Sequence, residues 1–211
     1  MRPIVIGITG LAHSGKDTSA DYLITQLQRG HTVVKVALAN QLKVICQKLV
    51  EMFTGTSIPL EDFYDLDKKE MIRPELPPFA GQPFKLRTVL QRVGTEVFRD
   101  LLSTSVWCNY VAEHNIRSSK TSTDVIVISD IRMPDEIQYF HQLCQQQQLD
   151  RVITLRITRP NRQVIDQTNQ LHSTEALISS LPVDHEINNQ DTLDQLYRQL
   201  DDFLQRENLI N

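Results

Sequence analysis

The chain has 211 residues, 40% of them hydrophobic and 23% charged, proportions that exclude a disordered tract and a membrane-embedded bundle. A net charge of -4 and an isoelectric point near 5.9 exclude the global basic field used in non-specific nucleic-acid binding, so an anionic ligand must be held by local cations. Cys46, Cys108 and Cys144 are odd in number, far apart and without CxxC spacing, which predicts reduced structural thiols rather than a disulfide framework or a metal site.

Residues 4–9 form a short apolar, β-branched run that ends at a glycine-containing turn and predicts a buried strand. Helical spacing follows over 18–27, with Ala20, Leu23, Ile24 and Leu27 on one side and Gly30 closing it. Residues 32–37 predict a second strand. Residues 40–53 predict an amphipathic helix with Leu42, Ile45, Cys46, Leu49 and Phe53 inward. From 54 to 86 the periodicity fails amid Pro59, Pro74, Pro77, Pro78 and Pro83, and a long irregular insertion of this kind usually serves binding. Helices are predicted over 85–102, 106–116 and 134–148. Between the last two, 124–129 is the clearest buried strand of the chain. Strands over 152–157 and 184–187 and an amphipathic helix over 192–206 complete the pattern. Strands alternating with helices require crossover connections, and hence a parallel sheet covered on both faces. No apolar run approaches the roughly 20 residues of a membrane span. The opening Met1-Arg2-Pro3 leads too soon into the first strand and its loop for a signal peptide, so a cytoplasmic location is expected.

Gly10-Leu11-Ala12-His13-Ser14-Gly15-Lys16 lies between the first strand and the first helix, with the GxxxxGK spacing of a Walker A loop. Glycines let successive backbone N–H groups turn inward around phosphate oxygens, the helix N-terminus adds positive potential, and Lys16 reaches the terminal phosphates. His13 and Ser14 belong to the loop, His13 as a solvent-facing member. The hydroxyl expected directly after the lysine is replaced by Asp17, with Thr18 one place later. Asp17 either reaches a magnesium ion through water or serves the helix terminus, and the sequence leaves both open. Thr18 is expected to contact a phosphate nearer the nucleoside.

GKDT after a strand narrows the field. KLRTVLQRVGTEVFR at 85–99 follows, then Val106-Trp107, ISDIRMPDE at 128–136, HSTE at 172–175 and INN at 187–189. This ordered set resembles the deoxynucleoside monophosphate kinases best known from bacteriophages, over most of the chain outside the insertion. The resemblance implies an α/β fold of the P-loop kinase type. It would have three layers, a five-stranded parallel sheet, an acceptor-binding insertion at 54–86 and a lid at 158–175, all within one domain spanning 1–211. It implies ATP as donor with Mg²⁺, and a deoxynucleoside monophosphate as acceptor. No stable nucleic-acid or membrane partner is implied, and a homodimer is compatible with it. Animal phosphomevalonate kinases share the GKD and the serine-aspartate-x-arginine strand end and form the alternative acceptor class. A regulatory GTPase is disfavoured because no DxxG or NKxD motif is present, Asn188-Asn189-Gln190-Asp191 lacking the lysine. A P-loop ATPase acting on nucleic acid is disfavoured by the acidic charge balance.

Transfer of a phosphoryl group needs two anions aligned and the charge between them neutralised. Asp130 ends the buried strand where a Walker B carboxylate would sit, and is expected to hold the metal or orient the acceptor. Arg132, two residues on, would face the same crevice and serve both transfer and acceptor binding. Arg87 and Gln91 share one helix face, Arg87 suited to a bidentate grip on the acceptor phosphate and Gln91 to a base edge. Gly94 completes that stripe and would let a ring approach. Arg99 is expected to reach a phosphate, while Arg92 and Glu96 suit an intrahelical salt bridge. Lys43 matches a family position near the acceptor. Trp107 is read as core. Arg159 and Arg162 flank the lid and would close over the transferring phosphates. His172 and Glu175 have no third partner that would make a metal site, and are read as structural or lid contacts.

Overall fold

The computed structural model describes residues 2–118, 123–159, 173–190 and 192–210. The chain folds as two compact units, Met1–Leu38 with Cys108–Asn211, and Ala39–Trp107.

The first unit is built on five parallel strands, β1 (Ile4–Thr9), β2 (Val33–Val36), β3 (Val125–Ile128), β4 (Val152–Thr158) and β5 (His185–Asn188), in the order β2-β3-β1-β4-β5. All four neighbouring pairs are parallel, with Ile6 opposite Val127 on one side and Ile153 on the other. β3 is buried along its whole length, which is why Val125-Ile126-Val127-Ile128 has no polar alternation. One face is covered by α1 (Lys16–Leu27) and α8 (Leu193–Arg206). Ala20, Leu23 and Leu27 of α1 and Leu196, Leu200, Phe203 and Leu204 of α8 form one core with Ile6, Ile8, Val125, Val127 and Leu155. Tyr22 and Tyr197 stack at the edge of this core, centroids 4.0 Å apart. α6 (Pro134–Gln145) packs on β4 with Ile137, Phe140 and Leu143 buried. The remaining helices of this unit are α5 (Val106–Val111, its first two residues in the other unit), continued by a π turn at Ala112–Ile116, and α7 (Ser173–Ser180), which sequence periodicity does not predict.

This order places β1 at the centre. The chain leaves it for β2 and β3 on one side and returns to β4 and β5 on the other, a switch point of the kind at which open α/β sheets bind ligands. Gly7 serves that geometry, since a Cβ there would lie 3.1 Å from the Ile131 side chain in the loop after β3.

The second unit begins with α2 (Ala39–Thr54), whose buried stripe is Leu42, Cys46 and Val50; Ile45 and Leu49 are half-buried. Phe53, expected inward, is 51% exposed and meets Phe79 edge-on. The proline-rich segment is ordered by a 3-10 turn at Leu60–Phe63 and by α3 (Leu66–Glu70), which buried Asp62 braces by pairing with Lys68 at 2.7 Å and Arg73 at 2.8 Å. α4 (Leu86–Gln91) runs into a π-helical stretch at Arg92–Arg99. The wider turn resets the register beyond Gln91, so Gly94 leaves the face that Arg87 and Gln91 occupy. Gly94 is buried, and a Cβ on it would lie 2.6 Å from Leu42 Cδ2. The space above it is therefore filled by core rather than open to a ring. Arg92 and Glu96 form the expected intrahelical pair at 3.0 Å, and Trp107 is buried against Phe98.

Candidate active site

The loop from β1 to α1 carries Gly10 at φ 151°, His13 at 60° and Gly15 at 98°. Gly10 is required at its position, because a Cβ would lie 2.5 Å from the Ile157 carbonyl and 2.6 Å from Ser14 Oγ. The loop closes on itself through Ser14 N–H to Leu11 O at 3.2 Å and Lys16 Nζ to the same carbonyl at 3.1 Å. Ser14 is buried, and its hydroxyl, like that of Thr9 at the end of β1, has no hydrogen-bond partner among the described residues. His13, Asp17 and Thr18 are exposed. Gly15 occupies the N-cap of α1, so Asp17 stands in the first helical turn rather than at the cap. There its charge opposes the positive helix terminus without closing off the carboxylate.

Lys16 is the electrostatic centre. Burial pushes its ammonium below the ordinary lysine range and Arg132 adds to that, while Asp17 and Asp130 act in the opposite sense. Lys16 thus lies within electrostatic reach of Asp17, Asp130 and Arg132 at the carboxyl edge of the sheet. Asp130 follows β3, and its Oδ1 accepts the Leu38 N–H at 2.6 Å. Arg132 has an exposed side chain, but its backbone is fixed: buried Glu136 accepts the N–H groups of Arg132 at 2.8 Å and Met133 at 3.1 Å. Glu136 was legible as the third residue of the helix that Pro134 begins, the place where a carboxylate reaches back to orphan N–H groups. A second supporting residue is Asn189 after β5, the last residue of the INN run, whose Nδ2 donates to Ser14 O at 2.9 Å. Arg159, half-buried, stands at the end of β4. Arg162 and His172, with the side chain of Glu175, lie outside the described residues.

No group of three or more His, Cys, Asp or Glu side chains suited to a metal occurs among the described residues. Asp17 and Asp130, both acting on the half-buried Lys16, nevertheless supply the hard oxygen donors that suit magnesium, an ion that keeps several waters and takes the rest of its ligands from phosphate.

In the second unit Lys43 lies 3.7 Å over the Tyr64 ring, whose hydroxyl donates to Asn40 Oδ1 at 3.2 Å. Arg87 donates to the Glu70 carboxylate, which also lies 4.0 Å from Lys85 Nζ. Gln91 is exposed and Arg99 half-buried. Tyr64 and Glu70 were not singled out by sequence, since each sits in the segment where periodicity fails. No helix among the described residues is long and apolar enough to cross a membrane.

Comparison with known proteins bears on this arrangement. The profile of the family described as deoxynucleotide monophosphate kinase matches residues 74–200. A protein of Acanthamoeba polyphaga mimivirus, provisionally named a deoxynucleotide monophosphate kinase, is 29% identical over 152 residues, covering 66% of this chain and 69% of its own. Among solved structures, the thymidylate kinase of Candida albicans superposes with a TM-score of 0.48 at 17% identity, over 100% of this chain and 96% of that one. The APS kinase of Mycobacterium tuberculosis superposes with a TM-score of 0.40 at 13% identity, over 97% and 98%.

Proposed function

The chain belongs to the deoxynucleotide monophosphate kinase family, and from that premise we propose that it transfers the γ-phosphoryl group of ATP to a deoxynucleoside 5'-monophosphate. The observation that carries the reading is the meeting of Lys16, Asp17, Asp130 and Arg132 around a glycine-turned loop. In the proposed reaction an oxygen of the acceptor phosphate attacks the γ-phosphorus. The bond to the β,γ-bridging oxygen breaks, and ADP leaves with the electron pair.

The roles follow from charge and position. The loop residues Gly10, His13, Ser14, Gly15, Lys16, Asp17 and Thr18 cradle the donor phosphates, with backbone N–H groups supplying most of the contacts. Lys16 neutralises charge on the terminal phosphates, and its partial burial strengthens that interaction. Asp17 and Asp130 would hold magnesium, which when bound would offset the negative charge of the phosphates. Arg132 serves the transferring group and the acceptor. Lys43, Arg87, Gln91 and Arg99 bind the acceptor nucleotide, in the part of the chain that includes the 54–86 insertion. Arg159 and Arg162 belong to the 158–175 lid, where they exclude water from the phosphates. The two units together carry one activity, in the cytoplasm.

The test is ADP release from ATP and magnesium with each deoxynucleoside monophosphate, its ribose counterpart and phosphomevalonate supplied separately. Stimulation by one or more deoxynucleotides is the expected result. Stimulation by phosphomevalonate alone would move the acceptor class, and silence with all of them would remove the kinase assignment.

A further inference from the structure

The residue that fixes the phosphate loop lies outside it. Asn189 follows β5, on the far edge of the sheet, and is 7% exposed. Its backbone N–H donates to Thr158 O at 2.8 Å, and its side-chain Nδ2 donates to Ser14 O at 2.9 Å. The preceding residue is anchored in turn. Gln199 of α8 brackets Asn188, accepting its N–H at 3.2 Å and donating to its carbonyl at 3.0 Å. A chain of hydrogen bonds therefore runs from α8 through the end of β5 to one peptide of the loop.

We propose that Asn189 is the positioning residue of the phosphate loop, acting by turning the Ser14–Gly15 peptide. In a planar trans peptide the carbonyl and the N–H point in opposite directions. With Ser14 O drawn toward Asn189, the Gly15 N–H must face away from it, which is the direction a phosphate oxygen would need. The peptide on the other side of Gly15 is fixed as well, its carbonyl accepting from Ser19 N at 2.9 Å and Ser19 Oγ at 3.0 Å. The same contact explains why the residue before the lysine is glycine. A Cβ on Gly15 would lie 2.4 Å from Asn189 Nδ2, so the amide occupies the volume a side chain would take. Asn189 touches no substrate atom in this account. Its effect passes through the loop.

The inference rests on the loop being a nucleotide-phosphate cradle, so the experiment separates the two claims. ADP binding to the full chain is measured by titration calorimetry for wild type, Asn189→Ala and Asn189→Asp, with thermal unfolding of each without ligand. Asn189→Asp has the same shape but presents an acceptor to Ser14 O, and keeps the test informative if Asn189→Ala folds poorly. The expected result is a Kd for ADP raised about tenfold in Asn189→Ala and further in Asn189→Asp, the loss of one well-made hydrogen bond. In turnover the KM for ATP should rise while the KM for the acceptor holds. Unchanged ADP affinity in both variants, with only the unfolding temperature lowered, would reduce Asn189 to a structural contact and overturn the proposal. Failure of wild type to bind ADP would instead remove the cradle reading, and this inference with it.

Discussion

The backbone N–H of Leu38 donates to Oδ1 of Asp130 at 2.6 Å, tying the segment beyond β2 to the end of β3. One oxygen of the carboxylate is therefore spoken for by the fold, and the orientation of the other is set by it.

Replacing Asp130 separates these two duties. Asparagine retains an oxygen that accepts from Leu38 but loses the charge, so Asp130→Asn should keep wild-type unfolding behaviour while kcat falls roughly a hundredfold or more, as for loss of a transition-state charge contact. Asp130→Ala loses both duties and should also unfold with about 1 kcal/mol less stability. Comparing kcat and thermal unfolding of the two variants decides the matter. A fully active Asp130→Asn would leave the residue as a brace alone.

Among the described residues Lys16 donates to the Leu11 carbonyl of its own loop, and its ammonium is pushed below the ordinary lysine range chiefly by burial. Truncation to alanine removes a cation that the core does not depend on. Lys16→Ala should therefore unfold at close to the wild-type temperature and show kcat at least about a hundredfold lower. Near-normal turnover would refute the assignment of residues 10–18 as the phosphate cradle.

The sheet and the glycine-turned loop after β1 were legible because each is written in contiguous sequence. An unbroken apolar run such as Val125-Ile126-Val127-Ile128 has one stable use, a strand covered on both faces, and GxxxxGK after such a strand has a specific geometry. Asn189 was not legible as a loop residue, because its partner Ser14 is brought beside it only when β5 adds to β4. Gly94 was misread for a different reason. Helical spacing assumes one turn size, and the π turn from Arg92 rotates Gly94 onto Leu42. Phe53 extends a predicted apolar stripe but stands exposed, because the buried stripe of α2 follows Leu42, Cys46 and Val50 instead. Part of the order in the 54–86 segment comes from Asp62 pairing with Lys68 and Arg73, which no hydrophobic pattern records.

The Arg87–Glu70 pair has a consequence for acceptor binding. If Arg87 grips the acceptor phosphate, the Glu70 carboxylate occupies the same guanidinium beforehand and must yield. Both side chains are more than a third exposed, so the pair contributes at most about 1 kcal/mol. Glu70→Gln should accordingly lower the KM for the acceptor by about two- to fivefold and leave the KM for ATP unchanged. Arg87→Ala should raise the acceptor KM about tenfold or more. A higher acceptor KM in Glu70→Gln would show that Glu70 orients Arg87 rather than competing for it.

Asp62 makes stability of the second unit depend on acidity in a defined direction. The hydrogen-bonded Lys68 ammonium holds its carboxyl below the ordinary aspartate range, against the opposing effect of burial and with the help of Arg73. A carboxylate whose folded pKa is depressed binds protons less readily folded than unfolded. Its stabilising contribution is thus complete above the ordinary aspartate pKa of 3.8 and disappears as pH falls through that value toward the lower folded one. Asp62→Asn should destabilise the protein by about 2 kcal/mol at neutral pH, since half-buried Arg73 loses a charged partner and Lys68 its acceptor. The gap between wild type and Asp62→Asn should then narrow in acid, as wild-type Asp62 becomes protonated. Thermal or urea unfolding of both proteins from neutral pH to below the aspartate range measures that gap directly. A gap that stays constant across the range would mean that packing around Asp62, rather than its charge, braces the segment.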